Sequence, residues 1–260
     1  MKGRIENGGI IMFIVENKPN SVEAESYRTL RTNIQYSSID KEIRSIVVTS
    51  ANPEDGKSTI SGNLALSFAQ NEKKVIIIDC DLRKPSIHRK FNLSNLYGLS
   101  DVLIGKKTLN NAIQEYKTNI HILPSGKIPP NSAEMISSIA MNNLLVDLKA
   151  QYDILIIDSP PLGTFSDGQI LSTKVDGTIL VVKAGETKIE DVKEAKNLLN
   201  KVGANIIGVV INKVSNDIKK NYYYYGTDEK SEIIELEKNK IEDKVSIEDR
   251  VNVGDKVNID

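Results

Sequence analysis

Six residues, Ser45–Ser50 (SIVVTS), form a β-branched apolar run that leads directly into Ala51-Asn-Pro-Glu-Asp-Gly56-Lys57-Ser58, and a helical pattern opens at Lys57. A strand, a tight loop ending in Gly-Lys-Ser and a helix together give the phosphate-loop spacing, with Ala51 in place of the first glycine. The physical logic is specific. Backbone N–H groups of such a loop turn inward around phosphates, and the helix N-terminus adds partial positive charge. Lys57 is expected to reach the β- and γ-phosphates, and the Ser58 hydroxyl, with Thr59 beside it, to meet Mg²⁺. Gly56 lets the backbone approach closely. A capped helix start carrying Gly-Lys-Ser by chance is the competing explanation, and the strand and helix on either side argue against it.

Further apolar runs follow at Lys74–Asp79, Asn119–Pro124, Asp153–Asp158, Gly177–Lys183 and Asn205–Asn212. Helical patterns lie between them, at Lys57–Asn71, Ala133–Ala150 and Lys188–Val202. Most of these runs are continuous rather than alternating, so both faces are expected to be buried, as in a parallel sheet covered by helices. The expected class is α/β, a doubly wound mostly parallel sheet of the P-loop NTPase fold, with right-handed crossovers. An amphipathic helix over Val22–Tyr36 precedes the first strand, so the expected domain is 17–214, preceded by an extension over 1–16. Met12 is expected to be the natural start. A tyrosine segment covers 215–226, and a polar, acidic low-complexity tail covers 227–260.

Charge sharpens this division. The chain carries a formal net charge of -1. From Gly226 to Asp260 there are 6 Lys and Arg against 11 Asp and Glu, so the body is mildly basic and the tail acidic. No general nucleic-acid footprint is expected. The single cysteine, Cys80, excludes a disulfide framework and fits a reducing compartment. It is expected to face the core. No apolar stretch approaches the length of a membrane span, so any membrane association has to come through a partner.

Asp79, Cys80 and Asp81 end one apolar strand, and Asp158 ends another. Ligands of open α/β sheets bind at the carboxyl ends of strands, which places all three aspartates on the edge that carries the phosphate loop. Carboxylates there can hold Mg²⁺ directly or through water. A turn or helix-cap role is the alternative for any one of them.

With these residues in hand, the chain resembles the bacterial tyrosine kinases of capsular and exopolysaccharide systems, of the cytoplasmic CpsD/CapB-like type. The resemblance runs from about Phe13 to Tyr225. It rests on SANPEDGKST, VIIIDCDLRKP, ILIIDSPP, the segment Pro124-Ser-Gly-Lys-Ile-Pro-Pro-Asn131, the helix pattern Glu25-x-x-Arg28-x-x-Arg31 and the block Tyr222-Tyr223-Tyr224-Tyr225. It implies ATP-dependent autophosphorylation of those four tyrosines between subunits of a ring, with Lys57 and Ser58 binding ATP and Mg²⁺. It also implies that Asp79 and Asp158 form the metal environment, that Asn212 contacts adenine, and that Glu25, Arg28 and Arg31 mediate self-association. The implied partners are the cytoplasmic tail of a membrane polysaccharide co-polymerase that activates the enzyme, and a tyrosine phosphatase. The implied location is the cytoplasm, peripheral to the inner face of the membrane. Two departures stand out: the tyrosines form one compact block, and an acidic tail follows them.

Other readings stay open. A phenol is a poor nucleophile near neutral pH, so a carboxylate should take its proton, and Asp81 is the expected base or else another metal-site residue. The tyrosine block could be a buried strand or a partner-binding patch. Glu25, Arg28 and Arg31 could be an exposed charged face. Arg83, Lys84 and Arg89 could steer phosphate, contact a neighbour's tail or be solvated loop charges. His88 and His121 are isolated and read as structural. Beyond a kinase, the fold suits a partitioning-type ATPase or a nucleotide-gated scaffold. The absence of a lysine at 51–55 argues against the partitioning class.

Overall fold

A computed structural model describes residues 5–6, 9–10, 13–38 and 42–214. The tyrosine block, the acidic tail and Met12 lie outside the described residues. The chain divides into two units, Met1–Asn212 and Lys213–Asp260, and the fold below belongs to the first. Its elements in chain order are β1 (Ile5–Glu6), β2 (Gly9–Ile10), α1 (Ile14–Asn17), α2 (Val22–Gln35), β3 (Ser45–Ser50), α3 (Lys57–Ala69), β4 (Val75–Asp79), α4 (Ile87–Lys90), α5 (Leu99–Leu103) and α6 (Leu109–Ala112). They continue with β5 (Gln114–Lys117), β6 (Ile120–Leu123), α7 (Ser132–Ser137), α8 (Ile139–Gln151), β7 (Ile154–Asp158), α9 (Asp167–Ser172), β8 (Gly177–Lys183), α10 (Ile189–Lys201) and β9 (Ile206–Asn212).

Seven strands form one sheet in the order β5-β6-β4-β7-β3-β8-β9. All neighbours are parallel except β5 and β6. The central strands β3, β4 and β7 are buried along their whole length. Because successive side chains point to opposite faces, each strand feeds two cores. Ile46, Val48, Val75, Ile77, Ile154 and Ile156 pack with Ile60, Leu64 and Phe68 of α3. Val47, Ile76, Ile78, Leu155 and Ile157 pack with Met141, Leu144, Leu145 and Leu148 of α8. Cys80 belongs to this second core and is fully buried, as expected.

The structure departs from expectation in four places. The single helix expected over Ala133–Ala150 is two, because Ser138 leaves the helical path (ψ 159) and its hydroxyl accepts the Met141 N–H at 3.1 Å as the cap of α8. β9 is not buried on both faces: it is an edge strand, with Val209 54% and Ile211 55% exposed. β5 is polar and alternates in burial, and it pairs antiparallel at the opposite edge, where one face meets solvent. The core also reaches back beyond Asn17. Phe13 and Val15 are buried, and the Val15 N–H donates to Asn63 Oδ1 at 3.1 Å. Gly62 makes room for this, since a Cβ there would sit 2.1 Å from the Phe13 ring.

Candidate nucleotide and metal site

The phosphate loop is braced from inside. Gly56 ends it in the left-handed region (φ 103), and α3 begins with the Thr59 and Ile60 N–H groups on the Gly56 carbonyl. The buried Asp55 carboxylate accepts the Asn52 N–H at 3.0 Å and the Thr187 hydroxyl at 2.8 Å, tying the loop to the segment after β8. Asn212, at the end of β9, donates its amide to the Asp55 carbonyl at 2.8 Å. The residue expected at adenine therefore lies against the loop, where Gly56 alone leaves it space. Lys57 is buried, and its ammonium donates to Ser50 Oγ at 3.1 Å. Burial pulls its pKa below the usual lysine value, while the carboxylates of Asp158, Asp81 and Asp55 act in the opposite sense.

β4 and β7 are neighbours with Asp79 in register with Asp158, so the two carboxylates emerge side by side. The Ser58 hydroxyl donates to Asp158 Oδ2 at 2.6 Å, and Ser61 Oγ lies 3.0 Å from Oδ1. Burial pushes the Asp158 carboxyl up to about 6, with the Ser58 hydrogen bond, the Lys57 charge and the Ser61 hydrogen bond lowering it. Asp79 is raised well above the carboxylate range by burial and then by the charge of Asp158. Its Oδ2 accepts the backbone N–H groups of Ser86 and Ile87 at 3.1 and 3.0 Å, and Oδ1 accepts that of Asp81 at 3.3 Å. Asp79 thus shapes the loop that follows β4, and its remaining accepting capacity lies chiefly on Oδ1. Asp81 is partly exposed. Its Oδ1 accepts the N–H groups of Arg83 and Lys84 at 3.3 and 2.9 Å, and Oδ2 makes no hydrogen bond among the described residues.

Several site residues were not singled out in the sequence. Ser86 donates its hydroxyl to Ser58 Oγ at 2.7 Å, and Ser61 and Asp55 act as described above. Ser61 lies one turn beyond Lys57 on α3, and that spacing is the one signal that could have found it. Thr59 accepts from the Lys90 ammonium at 3.0 Å. The sequence leaves Arg83 three readings, phosphate steering, a neighbour's tail or a solvated loop charge; in the structure its guanidinium pairs with Asp167 at 2.9 and 3.2 Å while its side chain stays 35% exposed.

α2, the helix expected to mediate self-association, is only partly a surface. Glu25 and Arg28 pair with each other at 2.7 Å, with Glu25 64% exposed. Arg31 turns inward and donates to the Ser67 carbonyl at 2.8 Å, joining α2 to α3. His88 and His121 each have a buried Nδ1 without a hydrogen-bond partner among the described residues. Burial lowers the pKa of both.

Among the described residues no group of three or more His, Cys, Asp and Glu side chains could hold a metal ion alone. Mg²⁺ in general binds through one or two carboxylates and substrate phosphates, so the test of fit is the donors beside the loop. Ser58 and Asp158 supply hard oxygens beside the loop, and burial penalises the charged forms of Asp79 and Asp158, a penalty that a divalent cation beside them would offset. No helix among the described residues is long and apolar enough to cross a membrane.

A parallel sheet with a phosphate loop at its centre and two acidic strand ends beside it defines a P-loop nucleotide-binding protein. The family model of ParA, the NUBPL iron-transfer P-loop NTPase, matches residues 42–257. Tyrosine-protein kinase YwqD of Bacillus subtilis (strain 168) is 42% identical over 215 residues, covering 82% of this chain and 91% of that one. Among solved structures, the chimerical protein CapA2B2 has a TM-score of 0.76 at 39% identity, covering 78% of this chain and 90% of that one. The kinase domain of Escherichia coli tyrosine kinase ETK has a TM-score of 0.75 at 32% identity, covering 82% and 85%. The septum site-determining protein MinD complexed with Mg-ADP, from Pyrococcus horikoshii OT3, is more distant, with a TM-score of 0.57 at 25% identity over 66% and 72%. The chain belongs to the bacterial tyrosine kinase family, within the ParA-like P-loop NTPases.

Proposed function

We propose that this chain transfers the γ-phosphoryl group of ATP to Tyr222, Tyr223, Tyr224 and Tyr225 of a neighbouring copy, in an oligomeric ring. The observation that carries this reading is the Ser58–Asp158 contact at the phosphate loop, with Asp81 beside it and one of its carboxylate oxygens without a hydrogen-bond partner among the described residues. Lys57 supplies positive charge at the phosphates, with Gly56, Ser58 and Thr59 opening the helix behind them. Ser58 and Asp158 would hold Mg²⁺, with Asp79 adding charge. The ion they would hold would supply neutralisation of the charge on the transferred group. The tyrosine oxygen bonds to the γ-phosphorus while the bond to the bridging oxygen breaks, and ADP leaves with that electron pair. The phenol proton passes to Asp81.

Each phosphotyrosine adds roughly -1.5 to -2 charge, so four add about -6 to -8 to a segment followed by an acidic tail. A tail so charged is repelled from a neighbour's acidic site, and the ring loosens. Partners in this reading are the cytoplasmic tail of a membrane polysaccharide co-polymerase as activator and a phosphatase that resets the cycle. The activator would bring the enzyme to the inner face of the membrane, where it regulates capsule or exopolysaccharide synthesis and export. Asn212 would meet the adenine from its place beside the loop.

The test is incubation of the purified chain with ATP and Mg²⁺, with and without the activator's cytoplasmic tail, followed by mass-spectrometric mapping. Phosphate on Tyr222–Tyr225 that disappears in Lys57→Met supports the reading. ATP hydrolysis without phosphotyrosine in either condition would replace it with a partitioning-type ATPase, and binding without turnover with a scaffold.

A further inference from the structure

We propose that Asp167 is a positioning residue for phosphoryl transfer, acting through Arg83 to orient Asp81. This rests on the kinase reading with Asp81 as the base. Asp167 opens α9 and is completely buried. Arg83 Nε donates to its Oδ2 at 2.9 Å and Nη2 to its Oδ1 at 3.2 Å, a two-point fork. The guanidinium also lies over the Phe165 ring, 4.1 Å from its centroid. Asp167 at the start of α9 therefore holds Arg83 by charge, and Phe165 in the loop before it adds an aromatic face.

Arg83 is two residues beyond Asp81, and its own N–H is one of the two that hold Asp81 Oδ1. Fixing the guanidinium fixes the backbone that carries those donors, and with it the direction of Oδ2, which makes no hydrogen bond among the described residues. The same loop is bonded to the phosphate loop: the Leu162 N–H donates to the Ser50 carbonyl at 2.8 Å and the Gly163 N–H to the Ala51 carbonyl at 3.1 Å. One segment thus references both the phosphate loop and Asp81, so the donor and the proton acceptor are held in a common frame.

Stability alone does not account for the pair. Asp167 is buried while the Arg83 side chain stays 35% exposed, and an ion pair with a buried partner gains little over apolar packing of the same shape. What a planar fork adds is geometry, and lysine cannot reproduce it. Geometry matters here because a misplacement of about 1 Å at a reacting group can cost about 100-fold in rate.

The experiment uses the full chain with its activator tail and compares wild type, Asp167→Asn, Arg83→Lys and Arg83→Ala. Thermal midpoint, affinity for a fluorescent ATP analogue with Mg²⁺, and the rate of tyrosine phosphorylation are measured for each. The expected result is nucleotide affinity within about twofold of wild type and a rate lowered about 10- to 100-fold in all three variants. Millimolar guanidinium ion should restore part of the rate of Arg83→Ala, and methylammonium should not. Wild-type rates in Asp167→Asn and Arg83→Lys would overturn this role and leave the kinase reading standing. Parallel loss of affinity, midpoint and rate without guanidinium rescue would also overturn it, by making the pair merely structural. A wild-type chain that forms no phosphotyrosine would overturn the kinase reading and this role with it.

Discussion

The Ser58 hydroxyl donates to Asp158 Oδ2 at 2.6 Å, joining the first turn of α3 to the end of β7. Neither residue is near the other in sequence; the parallel pairing of β3 with β7 brings them together, with Val48 opposite Asp158. Ser58→Ala removes a hard oxygen, and Asp158→Asn removes a charge. Each is expected to weaken Mg²⁺-dependent nucleotide binding by about tenfold or more, or about 1.4 kcal/mol. Titration with and without EDTA checks this. Ser86→Ala, which loses only the bond to Ser58 Oγ at 2.7 Å, should have the same sign and a smaller effect.

The protonation of Asp158 makes a prediction about stability in the metal-free protein. Its carboxyl is pushed up to about 6 by burial, against about 3.9 in an unfolded chain. Between those values the folded state holds a proton that the unfolded state has lost. Its contribution to stability is present below about pH 4 and is lost as pH rises through about 6, a change on the order of 3 kcal/mol. Asp158→Asn should therefore gain on wild type between about pH 4 and pH 6 and level off above that when both are melted in EDTA. A difference independent of pH would contradict the assignment.

Gly56→Ala should leave the sheet intact and abolish nucleotide binding. The residue has φ 103, and an added Cβ would lie 2.0 Å from Asn212 Nδ2. Both the loop and the brace from β9 must then move. Circular dichroism and nucleotide titration separate the two effects.

Arg31→Ala should cost stability where Glu25→Ala does not. Arg31 donates to the Ser67 carbonyl, and its Nε is already buried without a partner. Losing that bond should cost about 1–2 kcal/mol in denaturant unfolding. Glu25 pairs only with Arg28 at the surface, so its removal should stay within about 0.5 kcal/mol. If α2 is the subunit interface, Glu25→Ala shifts native mass at unchanged monomer stability.

What the sequence made legible follows from how local each signal is. β3, the loop and α3 are contiguous and obey spacing rules, so their identity and the placement of Lys57 and Ser58 at the loop could be read directly. Strand ends at Asp79 and Asp158 were equally local. Ser86 and Asp167 were not, because their meaning depends on which loops the sheet order places together. Arg31 shows the same limit: a helix-face argument groups it with Glu25 and Arg28, and only the packing of α3 reveals that it turns inward. β9 reads as fully buried from its composition, yet its position at the sheet edge exposes Val209 and Ile211. β5 is too polar and too short to register as a strand before its partner is known.

The most direct test of the central claim mixes two forms of the chain in the presence of the activator tail and ATP with Mg²⁺. One form carries Lys57→Met, keeps its tyrosines and bears a mass tag. The other keeps Lys57 and has Tyr222, Tyr223, Tyr224 and Tyr225 changed to Phe. Phosphate on the tagged, catalytically dead form is the predicted result, because one copy then serves as enzyme and the other as substrate. An unlabelled mixture beside a wild-type chain that labels itself would contradict transfer between copies.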